Sequence, residues 1–336
     1  MTTQNTSVKI VRVAAVQMRS ELAAIDKNLH RAGQLAAEAA GQGAQLIVLP
    51  ELAASGYSLS RKLWDAAEQR GGQTQQWLQE TAQRLGVYLG IGLIEAQGED
   101  FYDAYLLAAP DGQLAGRIYK TMAEVNVFRR ATNDHTVETA LGKIGLGVCA
   151  DNHFVPMVRL MQQQAVDLML MPHAWPAPFK TGRAVSQEDI RLAHEKAHQM
   201  APLYTRLLGV PAVFANQVGP RSPEPWDGIT GSLMTAELFH MGGCSTIADG
   251  DGTVLAQLDD HTEGVIVAGV SLDAGRKNFA APAGYGHFGG GWIHAGTPMR
   301  DAMCDLDSFI GRTTYRWSRE RRARARARAQ AAPGEA

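Results

Sequence analysis

Residues 142–154 read GKIGLGVCADNHF, an apolar, glycine-rich run that ends on Cys149 and turns polar at once. A short continuous apolar run with polar flanks predicts a strand covered on both faces. A cysteine inside such a strand is ordinarily a small core residue. At the strand's end the same side chain gains a rigid mount with one side open, which is where α/β sheets gather their chemistry.

Working outward, KIVRVAAVQM (9–18) predicts a strand and residues 26–41 a helix, with Ala and Leu at helical spacing. AQLIVLPE (44–51) predicts a second covered strand, followed by a helix around 74–85. VYLGIGLIEA (87–96) reads as a strand, and residues 102–120 as a hairpin turning at Pro110, Asp111 and Gly112. A helix is expected at 155–164 and a strand at 166–176. The stretch from Gln187 to Leu208 reads as helical, with Pro202 expected to interrupt or bend it. PAVFANQVG, GCSTIADGDGTVLAQL and EGVIVAGVSL supply the remaining strands, with a turn at Asp249–Gly252. Strands that alternate with helices, plus two hairpins, define an α/β fold with mixed sheets. No linker splits it.

The 336 residues are 45% hydrophobic and 20% charged, enough to build a sizeable core and too apolar for a disordered chain. Residues 316–328 hold seven arginines and one glutamate, so this short stretch carries +6 while the rest of the chain carries −8. Alternating Arg and Ala reads as a solvated, frayed helix end, and a nucleic-acid partner is not expected. Cys149, Cys244 and Cys304 form no regular framework, which implies a reducing, cytoplasmic setting with a free thiol. The N-terminal residues lack a signal-like pattern, and no run approaches the ~20 apolar residues that cross a bilayer.

Three predicted strand ends carry reactive side chains: Glu51 after LIVLP, Lys120 after GRIY, and Cys149 after IGLGV. They complement one another. A thiol needs a base, a carboxylate can accept its proton, and an ammonium lowers the thiol pKa and stabilises an oxyanion. The backbone N–H of Ala150 is a candidate second oxyanion donor. Taken singly, Glu51 can be a turn cap and Lys120 a solvated hairpin end.

The ordered set resembles the nitrilase superfamily of carbon–nitrogen hydrolases. LIVLPELAASGY (46–57) resembles its glutamate motif, GRIYKTMAE (116–124) its lysine motif and GKIGLGVCADNHF its nucleophile motif. VRVAAVQM, LMLMPHAW, VFANQVG and GGCSTIADGDGTVLAQ match in the same order, so the likeness spans about residues 9–272. It implies a four-layer α-β-β-α sandwich of two mixed sheets and a homodimer or larger homo-oligomer. Glu51 would be the general base, Lys120 the oxyanion stabiliser and Cys149 the nucleophile. Glu124 matches a second glutamate, with Glu138 as the fallback. No cofactor or metal is required, and the substrate would be a small amide. The implied layout is a disordered 1–8, a hydrolase domain over 9–274, an extension over 275–320 that contacts a partner subunit, and a tail over 321–336.

The chain departs from the family after the nucleophile, where Ala150, Asp151, Asn152 and His153 stand. A true nitrilase carries tryptophan and glutamate there, so an amidase or carbamoyl hydrolase fits better. His173 and Trp175 are candidate substrate-binding residues, and Arg129, Arg130 or His173 are candidate cationic clamps for a carboxylate. His153 is a candidate for shaping the pocket. Two readings of other classes remain: a non-catalytic scaffold, and a zinc hydrolase built on HEKAH (194–198), whose histidines lie one helical turn apart.

Overall fold

Alternation along one strand sets up the layers. In β1 (Lys9–Gln17), Val11, Val13 and Ala15 point one way, Ala14 and Val16 the other, and all five are buried. A strand buried on both faces needs cover on both sides. The first set packs with Leu146, Leu168 and Val213 of a second sheet. The second set packs with Leu29, Leu35 and Leu78 of two helices.

The computed structural model describes residues 8–124, 127–183, 185–285, 291–294 and 310–331. Besides β1, its first half contains α1 (Ile25–Gly41), β2 (Leu46–Val48), α2 (Gln73–Leu85), β3 (Tyr88–Gln97), β4 (Asp100–Ala108) and β5 (Leu114–Tyr119). Then come β6 (Thr136–Thr139), β7 (Gly142–Leu146), α3 (Val155–Gln164), β8 (Leu168–His173), β9 (Pro176–Pro178) and α4 (Gln187–Leu208). The chain continues through β10 (Ala212–Asn216), β11 (Val218–Pro220), α5 (Gly228–Leu233), β12 (Phe239–Gly242), β13 (Thr246–Ala248), β14 (Val254–Gln257), β15 (Gly264–Leu272) and α6 (Arg319–Ala331).

One sheet runs β15-β1-β2-β3-β4-β5 and the other β14-β13-β10-β8-β7-β6. Both are mixed: β1, β2 and β3 are parallel neighbours, as are β7, β8 and β10, while the flanking pairs are antiparallel. Helices α1 and α2 cover the outer face of the first sheet, and α3 and α4 that of the second through Val158, Met161, Met200 and Tyr204. This is the expected α-β-β-α sandwich. A third sheet, β11-β12-β9, sits beside it.

Two expectations change. Helix α4 is not interrupted at Pro202, the first of the two outcomes expected there. A mid-helix proline costs about 3 kcal/mol, but Met200, Ala201, Tyr204 and Leu208 around it are buried in the core beneath the second sheet, and that packing holds the helix together. The arginine-rich tail is not a solvated, frayed end either. Helix α6 lies against the β3–β4 turn: Arg321 is buried and pairs with Asp100, Arg324 meets Asp65 at 2.9 Å, and Arg326 meets Glu99 at 2.6 Å. Just before it, Tyr315 accepts the Phe101 N–H at 2.9 Å. The acids that hold the helix lie more than 200 residues upstream, beyond the reach of a local pattern. Residues 1–7 and, within the expected extension over 275–320, residues 286–290 and 295–309 with Cys304 lie outside the described residues. Among the described residues no helix is long and apolar enough to cross a membrane.

One glycine places the first reactive strand end. A Cβ on Gly92 of β3 would stand 2.2 Å from the Leu52 nitrogen and 2.8 Å from the Glu51 Cα, both backbone atoms that cannot yield cheaply. Gly92→Ala is therefore expected to destabilise the protein by about 1–3 kcal/mol in urea unfolding. It should also lower turnover, because the backbone that must shift carries Glu51. Unchanged stability and activity would show that the contact is not confining.

Candidate active site

The carboxyl ends of four strands meet at one place, two from each large sheet. Glu51 follows β2 and Lys120 follows β5; Cys149 follows β7 and Ala174 follows β8. All except Cys149, which is 6% exposed, have no exposed surface. The chain reaches these positions through unusual backbone: Cys149 has φ +45°, and Leu52, the residue after Glu51, has φ +47°. Left-handed conformations cost non-glycine residues energy and persist where the surroundings over-determine them. A 3-10 turn, Cys149–His153, starts at the cysteine, which puts the Ala150 N–H at its beginning.

Lys120 is the centre of the arrangement. Its Nζ donates to Glu51 Oε1 at 2.5 Å and to Glu124 at 2.7 and 2.8 Å, and Asp103 Oδ2 lies 3.4 Å away. Three carboxyls that would otherwise resemble a cation cage thus surround an ammonium. The other oxygen of Glu51, Oε2, accepts the Ala174 N–H at 2.7 Å, and the Glu51 carbonyl accepts from the Gln217 side chain at 2.8 Å. Cys149 lies close enough to this group for the charges of Glu51 and Lys120 to act on its thiol. Tyr57 donates to Glu124 at 3.3 Å.

Charge decides the protonation states. Burial works against an ionised Glu51, yet the Lys120 ammonium and hydrogen bonds from Asp103 and Lys120 hold its carboxyl below the usual value. Burial opposes the charge on Lys120 as well, but Glu124 and Glu51 outweigh it and hold the ammonium well above its ordinary range. Asp103 goes the other way: burial, then the Glu51 charge, push its carboxyl well up. Ionised, it would leave both oxygens without a hydrogen-bond donor; protonated, it donates to Glu51. Burial and the Glu51 charge also push the Cys149 thiol up, so the resting site holds a thiol beside a carboxylate.

Asp151 locks the lysine loop to the cysteine turn. Its Oδ1 accepts the backbone N–H groups of Thr121 and Met122 at 3.1 and 2.7 Å, and its Oδ2 accepts that of Val148 at 3.1 Å. The 291–294 segment folds back over the same turn: the Ile293 N–H donates to the His153 carbonyl at 3.0 Å, and His153 and His294 bond through their rings at 2.8 Å. His153 also packs edge-on against Trp175, with centroids 4.9 Å apart.

The structure brings Glu51, Lys120, Glu124 and Cys149 together. The fallback Glu138 is exposed on β6 and pairs with Lys143. His173 is buried, bonds the Met171 carbonyl through Nδ1, and has its pKa lowered to about 4 by burial, so it is neutral and cannot act as a cationic clamp. Arg129 and Arg130 line, with Phe128, Arg312, Tyr315 and Arg316, a cavity of about 320 Å³ whose walls include neither Glu51, Lys120 nor Cys149. Trp175 is half-buried, and its backbone N–H donates to the Asn216 side-chain oxygen at 2.9 Å. Cys244 is a buried free thiol pushed up to about 12 by burial, consistent with a packed residue. HEKAH does not assemble as a zinc motif. His194 faces Asp260, His198 faces Cys244, and Glu195 is exposed and paired with Arg191. Sequence reasoning missed Asp103, whose signal was a lone acid in the apolar run YDAYLLAA, and missed Tyr57 and Ala174, which carry no local signal.

A two-sheet sandwich with a buried carboxylate, ammonium and thiol at facing strand ends defines a class of hydrolytic α/β protein. The carbon-nitrogen hydrolase family profile matches residues 12–277, and the chain belongs to that family. It is 32% identical over 198 residues to omega-amidase NIT2 of Danio rerio, covering 53% of this chain and 71% of that one. It is 30% identical over 176 residues to a nitrilase of Pyrococcus abyssi, covering 51% and 67%. A carbon-nitrogen hydrolase of Helicobacter pylori shares the fold, with TM-score 0.67 at 21% identity over 78% of this chain and 89% of that one. An amidase of the nitrilase superfamily from Nesterenkonia superposes with TM-score 0.57 at 22% identity over 77% and 90%.

Asp103 offers a test of the charge assignment. Its folded pKa lies above its ordinary 3.8, so the stability that comes from its bound proton is complete at low pH and is lost as pH rises through the folded value. Asp103→Asn keeps a neutral donor at every pH. Its melting temperature relative to wild type should therefore climb as pH rises from 3.8 to the folded value and level off above it. A difference that is flat, or that falls, would mean that Asp103 is ionised in the folded protein.

Proposed function

We propose that the protein hydrolyses a small linear amide through a thioester on Cys149. The observation that carries this reading is the buried Glu51 carboxylate, held by the Lys120 ammonium at 2.5 Å and the Ala174 N–H at 2.7 Å and near enough to Cys149 for both charges to act on its thiol. Glu51 takes the thiol proton, and the sulfur attacks the amide carbon. Lys120 and the Ala150 N–H receive the negative charge that develops on oxygen. The proton on Glu51 passes to the departing nitrogen, which leaves as ammonia or an amine. Water then gives a proton to the same carboxylate and attacks the thioester, and the thiol leaves with that proton while the carboxylic acid is released. Glu124 and Asp103 hold Lys120 in position throughout. The omega-amidases among its relatives, and the absence of a Trp-Glu pair after Cys149, favour an amide over a nitrile.

Intact-mass measurement of the wild type during turnover of a panel of amides, carbamoyl compounds and nitriles is expected to show an acyl adduct together with ammonia release. Cys149→Ala should show neither. Glu51→Gln should retain its fold and lose about 10²–10⁴-fold in kcat. The acid limb of kcat/KM should fall only below pH 4.5, because Glu51 must be ionised to act and its folded pKa lies under that ordinary value. Turnover that survives Cys149→Ala would refute the thiol mechanism, and an acid limb near neutrality would refute Glu51 as the base.

A further inference from the structure

A second cluster of ligating side chains lies away from the Lys120 site. His194 on α4, His240 on β12 and Asp260 in the loop after β14 come from three separate elements, and one ligand atom from each falls within 4.8 Å of the other two. His194 Nδ1 and Asp260 Oδ2 are 3.4 Å apart. Two donors on the edge of a tetrahedron with metal–ligand bonds of about 2.0–2.1 Å are separated by about that distance. The Nε2 of His240 is shielded from solvent and has no hydrogen-bond partner among the described residues, an arrangement that costs energy until something accepts its lone pair or its proton.

The carboxylate is held in place for the task. Asp260 Oδ1 bonds His261 Nδ1 at 2.8 Å, leaving Oδ2 toward His194. Asp259, next in the chain, accepts the backbone N–H groups of His261 and Thr262 at 3.0 and 2.7 Å and the Thr262 hydroxyl at 2.8 Å. The Gln17 side chain donates to the carbonyls of Asp259 and Thr262 and anchors the loop to β1. Outer bonds of this type fix the orientation of metal ligands and contribute to affinity.

We propose that His194, His240 and Asp260 bind one divalent transition-metal ion. Two imidazoles and one carboxylate suit zinc, cobalt or nickel rather than magnesium or calcium, which require a shell of oxygens. Three protein ligands leave a position for water. The site clips α4 to β12, and β12 pairs with β9 at Met241 and Pro176, one residue beyond Trp175. The ion thus braces a strand next to the pocket wall and takes no part in the thiol chemistry. HEKAH contributes only its first histidine, since His198 is engaged with Cys244 at 3.5 Å.

The test uses the untagged full chain carrying Cys149→Ala, so that the catalytic thiol cannot bind metal, stripped with chelator and titrated calorimetrically with zinc chloride. One saturable equivalent is expected. His240→Ala and Asp260→Asn should each weaken it at least about 100-fold, and His261→Ala, which removes only the outer bond, by about 10-fold. His198→Ala should leave it unchanged. Cobalt loading should give visible absorption bands that His194→Gln abolishes, a readout independent of stability, and each variant's metal-free melting temperature shows whether it has folded. Absence of a saturable equivalent overturns the site. So does binding indifferent to His194 and His240, or binding that depends on His198 and Cys244 instead.

Discussion

Everything at the strand ends is arranged around one buried ammonium. Removing an ion of that size from water costs several kcal/mol even after relaxation. Lys120 is tolerated only because Glu51 and Glu124 bond it directly and Asp103 lies beside it. One positive charge cannot neutralise three carboxylates in a dry site. The least costly arrangement leaves a proton on Asp103, the carboxyl farthest from the ammonium and without any donor of its own. With that proton in place, Glu51 stays ionised next to a neutral thiol.

The arrangement requires the two sheets to hold register with each other at their strand ends. The ties that do this are not side-chain packing alone. The Ala174 N–H from the second sheet reaches Glu51 of the first, and Asp151 collects backbone donors from Thr121 and Met122 on one side and Val148 on the other. Each is a charge-assisted bond to a buried carboxylate, the stronger kind of hydrogen bond. They offset the backbone strain at Leu52 and Cys149. That strain has a use, because a strand continuing regularly past Leu146 would alternate its side chains into the inter-sheet core.

What was legible from the sequence had local causes. The covered strands, the Asp111–Gly112 turn and α3 showed in apolar runs and turn residues, and the three reactive strand ends followed once the strands were placed. Glu124 is four residues past Lys120, so proximity alone brought it within reach of the ammonium. What escaped had partners far away in the chain. Asp103 matters because β4 places it between β3 and β5, and nothing within YDAYLLAA indicates that Lys120 follows the next strand. The docking of α6 depends on Asp65, Glu99 and Asp100, and the continuity of α4 through Pro202 depends on packing beneath β10. Likewise, HEKAH suggested a pair of ligands from helical spacing, whereas β12 and the loop after β14 decide which of its histidines meets a carboxylate.

The same ammonium gives the proposed chemistry its timing. In the resting site Lys120 is committed to Glu51, and a hydrogen bond to a carboxylate is stronger than one to a neutral acid. Transfer of the thiol proton to Glu51 removes the negative charge that held Lys120 there. The ammonium is then under-compensated at the moment when a thiolate has formed and an oxyanion is about to. It turns to the new charge with little reorganisation, because Glu124 still grips it through two oxygens at 2.7 and 2.8 Å. When the proton leaves Glu51 for the departing nitrogen, the carboxylate regains its charge and the oxyanion collapses. A lysine held only by Glu51 would be released altogether in that interval, and the second glutamate is what keeps it in the site.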